Sequence, residues 1–295
     1  TLTLVRPAET RDISGTAIIF HPTSFDFGYV EMGAQKYYRD PVSLNRDWAL
    51  RRVYSTLGMY HDNVGLEDMS GAIAQALVEQ DVQLVLPGNC WGDLWHNGEQ
   101  RRNDVDLDGF QRRGFDAASW TVRVIQDTTL AAEVGIVDAE LFVSGGPIYG
   151  IGLAEGGRAI SELLVTSSPF SGILLDSTPD DLNGFNADPT TYAQILQGLE
   201  RIFPGNASWT DASIANLPNL PARVAYLYSS LDPVFPTDVH EQAVSRLNAQ
   251  DTALITDTNE RTHIQTGDSL ALARESIAHI LGVPIFESSE DATDE

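Results

Sequence analysis

Short apolar runs rich in Val, Ile and Leu alternate with stretches of helical periodicity along most of this chain, and that alternation is its strongest constraint. Thr1–Val5, Thr16–Phe20, Val82–Leu86, Leu141–Val143, Ile148–Ile151, Gly172–Leu175, Val224–Tyr228 and a weaker Ala253–Thr256 read as strands. Between them, Asp68–Glu79, Ala117–Glu133, Gly157–Val165, Asp238–Leu247 and Ser269–Leu281 read as helices. Strands apolar on both faces must be covered on both faces. Separated by helices, they pair in parallel. The expected fold class is α/β, a doubly wound, mostly parallel sheet. With 295 residues and 42% hydrophobic content, the chain can bury such a core as one domain.

One stretch breaks the rhythm. Asp176–Pro221 separates two strands by far more than an ordinary connection, and it holds a helical pattern near Pro189–Phe203. Its aromatics include Phe185, Tyr192, Phe203 and Trp209, which favours a short helical lid over a loose loop. The acidic run at 287–295 has nothing to bury and reads as a disordered tail. The expected layout is one domain over 1–286, with the lid at about 176–221.

The charge balance is strongly acidic, with 42 acidic and 18 basic residues for a net charge of −24. Such a surface repels nucleic acid and anionic lipid, so neither is expected as a partner. No apolar run approaches the roughly 18 residues of a membrane span. The chain begins Thr1-Leu2-Thr3, without Met and without a basic-then-apolar leader. The expectation is that a leader, if one existed, was removed or lies outside this sequence, with a secreted or periplasmic setting slightly favoured over a cytoplasmic one. Cys90 is the sole cysteine, and none of the six histidines forms an H-x-x-x-H or H-x-H pair. A disulfide within the chain is excluded, and a metal mechanism has little support.

The strongest local pattern is Ile148-Tyr149-Gly150-Ile151-Gly152-Leu153-Ala154-Glu155-Gly156-Gly157-Arg158. An apolar strand enters a glycine-flanked turn and passes directly into a helix. The pattern is not a phosphate loop, because no Gly-Lys-Ser/Thr follows. It resembles the G-x-S-x-G nucleophile elbow of the α/β-hydrolases, with Ala154 where that family has serine. Three further landmarks follow the same resemblance. Asp232 stands after the strand Val224–Tyr228, in Asp232-Pro233, where the family places its triad acid. Asp238 nearby reads instead as a helix N-terminal residue. His263 stands between the last strand and the last helix, where the family places its base. The order nucleophile, acid, base is that family's order. Ile18-Ile19-Phe20-His21-Pro22-Thr23-Ser24 matches the early strand and loop that supply one oxyanion-hole amide, usually through His-Gly. Here the pair is His21-Pro22, and Pro22 has no N–H to donate. Thr23 is therefore the expected donor, with the backbone N–H of Glu155 as the second.

The resemblance spans Thr16 to Leu281 and implies a serine-type carboxylic ester hydrolase without a cofactor, acting through an acyl-enzyme. It also implies that this copy, with Ala154, is inactive. An acid and a base kept beside a missing nucleophile favour an engineered Ser-to-Ala substitution that still binds substrate. Two alternatives stay open: a natural pseudoenzyme that binds a small ligand, and a cofactor-free lyase or oxygenase using His263 as base. The implied partner is a small-molecule or oligomeric ester. His21, Ser24, Trp91, Trp95, Phe185 and Tyr192 are the expected substrate contacts, since they lie in loops after strand ends or in the lid.

Overall fold

The computed structural model describes residues 2–7, 12–20, 72–87, 119–133, 136, 145–153, 156–180, 213–232, 235, 237–260, 265–266 and 269–285. Seven strands form one sheet: β1 (Leu2–Val5), β2 (Gly15–Phe20), β3 (Val82–Pro87), β4 (Ile148–Leu153), β5 (Gly172–Asp176), β6 (Arg223–Tyr228) and β7 (Ala253–Asp257). Their spatial order is β1-β3-β2-β4-β5-β6-β7. β1 pairs with β3 antiparallel, and every other pairing is parallel. The sheet is therefore the mostly parallel one expected from the continuous apolar runs.

Successive side chains of a strand point to opposite faces, and the two cores show it. Ala17, Ile19, Tyr149, Ile151, Leu153, Leu174, Ala225 and Leu227 pack on one face with Ile73 and Leu77 of α1 (Ala72–Glu79). Ala273, Ile277 and Ile280 of the C-terminal helix Leu270–Leu281 complete that layer. Ile18, Phe20, Ile148, Ile173, Leu175, Val224 and Tyr226 face the other way. There they meet Val122 and Ile125 of the helix at 119–126, Ile160, Leu163 and Leu164 of the helix Gly157–Thr166, and Ala243 and Leu247 of the helix Glu241–Leu247. Each fully buried aliphatic side chain contributes roughly 1.5–3 kcal/mol over its exposed state. The sheet is thus covered on both faces, as its composition requires.

Two helical expectations change in detail. The span Ala117–Glu133 is not one helix. It breaks at Asp127, whose Oδ1 accepts the backbone N–H of Thr129 and Leu130 and caps a new helix, Thr128–Glu133. Asp competes for backbone donors in this way, which favours it at caps over helix interiors. The span Asp238–Leu247 opens as a 3-10 turn, Thr237–His240, before the α-helix begins at Glu241. Ser269 caps the last helix by accepting the N–H of Leu272. The expected strand Leu141–Val143, the helix near Pro189–Phe203 and the acidic tail lie outside the described residues. No helix among the described residues is long and apolar enough to cross a membrane.

The helices Ala72–Glu79 and Leu270–Leu281 are joined across one face by a bidentate pair. Arg274 Nε donates to Glu79 Oε2 at 2.9 Å and Nη2 to Oε1 at 2.8 Å. The hydrogen bonds from Arg274 hold the Glu79 carboxyl below its ordinary value of 4.5, against the opposing effect of burial. A depressed folded-state value stabilises the fold above the unfolded value and loses that contribution as pH falls through the folded one. Glu79→Gln should therefore lower stability by about 1 kcal/mol at pH 7. Urea melts repeated below pH 4.5 should show that difference shrinking as the parent Glu79 becomes protonated.

Candidate active site

The parallel strands end at one edge of the sheet, and their registers show which chain exits lie side by side. Phe20 of β2 is level with Gly152 of β4, and Leu153 of β4 with Asp176 of β5. Asp176 is level with Leu227 of β6, and Tyr228 of β6 with Asp257 of β7. β2 lies between β3 and β4, so the order of winding reverses there. Crevices at such switch points are where open α/β sheets bind ligands.

The passage from β4 into the helix Gly157–Thr166 is sterically closed to side chains. A Cβ on Gly152 would lie 2.3 Å from the Cα of Gly157. A Cβ on Gly157 would lie 2.1 Å from Oγ1 and 2.5 Å from Cγ2 of Thr178, which is fully buried. Strand and helix thus meet at backbone distance, and the Thr178 side chain packs directly against Gly157. This requires glycine at both positions, because real Cβ atoms do not approach so closely. In sequence, residues 154–155 stand between Leu153 and Gly156.

Beyond β5 the chain turns at Ser177, which has a left-handed φ of 51°. The Ser177 N–H donates to Leu227 O at 2.8 Å, extending the β5–β6 pairing. Asp176, with no exposed surface, is the hub of this region. Its Oδ1 accepts the N–H of Gln265 at 2.9 Å and the hydroxyl of Ser177 at 3.2 Å. Its Oδ2 accepts the N–H of Thr266 at 2.8 Å and the Thr266 hydroxyl at 2.6 Å. Burial raises the carboxyl above its ordinary value, and the bonds from Thr266, Gln265 and Ser177 offset that only in part. Gln265 continues the network. Its Nε2 donates to Ser177 Oγ at 3.1 Å, and its Oε1 accepts from the Thr258 hydroxyl.

The turn after β6 is tied to the turn after β7. Ser229 Oγ donates to Glu260 O, the Ser230 N–H donates to Asp257 Oδ1 at 2.9 Å, and Ser230 Oγ donates to Asn259 Oδ1 at 3.0 Å. Within the β6 turn, the Asp232 N–H donates to Ser229 O at 3.2 Å. Asp232 Oδ1 accepts the N–H of Phe235 at 3.2 Å, and the fully buried Phe235 anchors the segment. Asp232 thus carries the turn-forming bond that an Asp-Pro pair favours. Behind it, the Tyr226 hydroxyl donates to Thr178 O at 2.8 Å. That hydroxyl has one hydrogen, so His240 Nδ1, also at 2.8 Å, is the protonated donor to it.

No protein-family model matches this chain, and no curated protein matches it in sequence. Solved structures do resemble it. A serine-to-alanine mutant of LAE6, an α/β-hydrolase enzyme from the metagenome of Lake Arreo, Spain, superposes with a TM-score of 0.56 at 12% identity. That match covers 95% of this chain and 77% of the other. Carboxyl esterase 2 from the mycorrhizal fungus Tuber melanosporum gives 0.54 at 14% identity, covering 95% and 78%. The bifunctional GH43-CE protein of Bacteroides eggerthii gives 0.54 at 10% identity, covering 96% of this chain. This chain spans only 36% of that longer protein. The fold is the α/β-hydrolase fold.

Within the α/β-hydrolase fold, the expected site residues fall into two groups. Asp232 is described, at the carboxyl edge after β6. The others lie outside the described residues, although flanking residues bracket several of them. Ala154 and Glu155 stand between Leu153 and Gly156, and His263 between Glu260 and Gln265. His21, Thr23 and Ser24 follow Phe20. Trp91, Trp95, Phe185 and Tyr192 also lie outside. The two ends of the expected lid meet at Asp180, which accepts the Ser213 hydroxyl at 2.9 Å and the Ile214 N–H. The sequence reading passed over Asp176, Ser177, Gln265 and Thr266. The signal for Asp176 was present, since Leu174-Leu175-Asp176 ends an apolar strand in a carboxylate just as the β6 segment does with Asp232. Among the described residues, no cluster of His, Cys, Asp or Glu could hold a metal ion.

The steric seal between β4 and its helix predicts the effect of a single methyl. Gly157→Ala should destabilise the protein by roughly 1–3 kcal/mol through overpacking against Thr178. Thr178→Ala should relieve part of that loss, giving a favourable coupling in a double-mutant cycle read by urea unfolding. Strict additivity of the two substitutions would show that the contact does not govern the turn.

Proposed function

We propose that this chain is a serine-type carboxylic ester hydrolase whose nucleophile position holds alanine, so that it binds an ester without hydrolysing it. The observation that carries the reading is the passage at Gly152 and Gly157, closed to any Cβ. The central β4 ends at Leu153 and the helix starts at Gly157, so in sequence residue 154 follows directly on the strand end at the switch edge of the sheet. Support for the rest of the triad is topological. The chain leaves β6 toward Asp232 and β7 toward His263 at that same edge. Esterases among the structures of like fold agree with this reading.

With serine at 154, its Oγ would attack the ester carbonyl carbon. His263 would take the hydroxyl proton and return it to the departing alcohol. Asp232 would hold the histidine tautomer and stabilise the imidazolium. The backbone N–H groups of Thr23 and Glu155 would receive the oxyanion, helped by the positive end of the helix Gly157–Thr166. Water activated by His263 would then release the acid. Alanine removes only the attacking oxygen and leaves the volume for substrate almost unchanged. Trp91, Trp95, Phe185, Tyr192, His21 and Ser24 are the proposed substrate contacts, in keeping with an apolar acyl or alcohol group on a small or oligomeric ester. The remaining layout belongs to the same proposal: a single domain over 1–286 with a lid at about 176–221.

Loss of the nucleophile costs about a millionfold in kcat in a serine hydrolase. Ala154→Ser should therefore raise hydrolysis of p-nitrophenyl acyl esters by about five to six orders of magnitude over the parent. Asp232→Asn and His263→Ala in that background should each remove most of the gain. A serine variant inert across a broad panel of acyl chain lengths sinks the hydrolase reading.

A further inference from the structure

Beyond the triad, the buried carboxylate at the end of β5 has a role of its own. We infer that Asp176 is the positioning residue of the catalytic base, holding from the sheet edge the chain segment that begins two residues after His263. The inference rests on the hydrolase reading for His263 and adds a residue that reading does not contain.

The geometry separates Asp176 from an ordinary buried carboxylate. All four of its described hydrogen bonds are received, none is given, and three come from Gln265 and Thr266. Two of those three are backbone N–H groups of consecutive residues, each on a different carboxylate oxygen. Such a fork fixes both the place and the orientation of a peptide plane, which one bond to a side chain would not do. The segment joins the sheet nearly ninety residues away in sequence, so local structure does not hold it there. Gln265 is then locked a second time, between Ser177 of the β5 turn and Thr258 of the β7 turn. The β7 turn is in turn bonded to the β6 turn that carries Asp232, through Ser229 and Ser230. One polar network therefore joins the acid-bearing turn to the segment following the base, with Asp176 at its buried end. Asp176 is also level with Leu153, the residue before position 154. The carboxylate thus refers the base loop to the strand that carries the nucleophile position. The four donors occupy its oxygens with structural bonds, which marks it as a residue acting through the loop.

Positioning predicts a loss in turnover with binding preserved. A misplacement of about 1 Å can cost on the order of a hundredfold in rate. In the Ala154→Ser protein, Asp176→Asn should lower kcat about a hundredfold with KM within threefold. It should also move the acid-side limb of the pH–rate profile, which His263 sets as the general base. Should Asp176→Asn fail to fold, Thr266→Val removes only one hydroxyl donor and should lower kcat about tenfold. Thr266→Ser, which keeps that hydroxyl, should recover the loss. Independently of activity, the imidazole of His263 can be titrated by ¹⁵N NMR in the Ala154 protein, and Asp176→Asn or Thr266→Val should shift that titration. An active Ala154→Ser protein in which neither variant alters kcat or the titration overturns the positioning role and leaves the hydrolase reading intact. An inactive Ala154→Ser protein whose His263 titration still answers to Asp176 overturns the hydrolase reading and leaves the positioning role intact.

Discussion

The contact between the end of β4 and the start of the helix after it sets the rest of this structure. Gly152 lies so close to the Gly157 backbone that it tolerates no Cβ, and the Thr178 side chain leaves none at Gly157. Because strand and helix meet at backbone distance, the start of the helix is fixed against the end of β4 at the centre of the sheet. β4 lies beside β2, where the winding order reverses. Everything proposed for function is arranged around that point, and the stability of the point is steric.

A second layer of control is polar. Parallel strands leave their last carbonyl and N–H groups at one edge, and those groups must find partners when the edge is buried. Here the loops after β5, β6 and β7 satisfy one another. Ser177 reaches Leu227, Thr258 reaches Tyr228, and Ser229 reaches Glu260. Asp176 supplies the strongest acceptor of the set, a carboxylate taking two backbone N–H groups and two hydroxyls. Satisfying buried edge groups also fixes the segment at Gln265 and Thr266 against the end of β5.

The strands and their periods were legible because continuous apolar runs can be read one at a time. Val224–Tyr228 and Gly172–Leu175 differ from the observed strands by one residue at an end. The helical span over Ala117–Glu133 was misread because hydrophobic period outweighed one Asp, and Asp127 caps a new helix where the pattern suggested continuation. Asp232 could be singled out because a proline follows it. Asp176 offered the same strand-end signal without a proline, and its partners Gln265 and Thr266 lie about ninety residues on. No local pattern announces a partner at that separation.

By itself the sequence determined the α/β class, the covering of both sheet faces, and the close approach of β4 to the helix after it through Gly152 and Gly157. Each is a local property: apolar character along a strand, helical period beside it, and the absence of Cβ where strand and helix approach closely. Only the tertiary structure decided the strand order β1-β3-β2-β4-β5-β6-β7, the antiparallel placement of β1, and the bonding of Asp176 to Gln265 and Thr266. Those depend on which strand ends lie side by side. That choice is made when two separate cores close on opposite faces of the sheet, so no single segment encodes it.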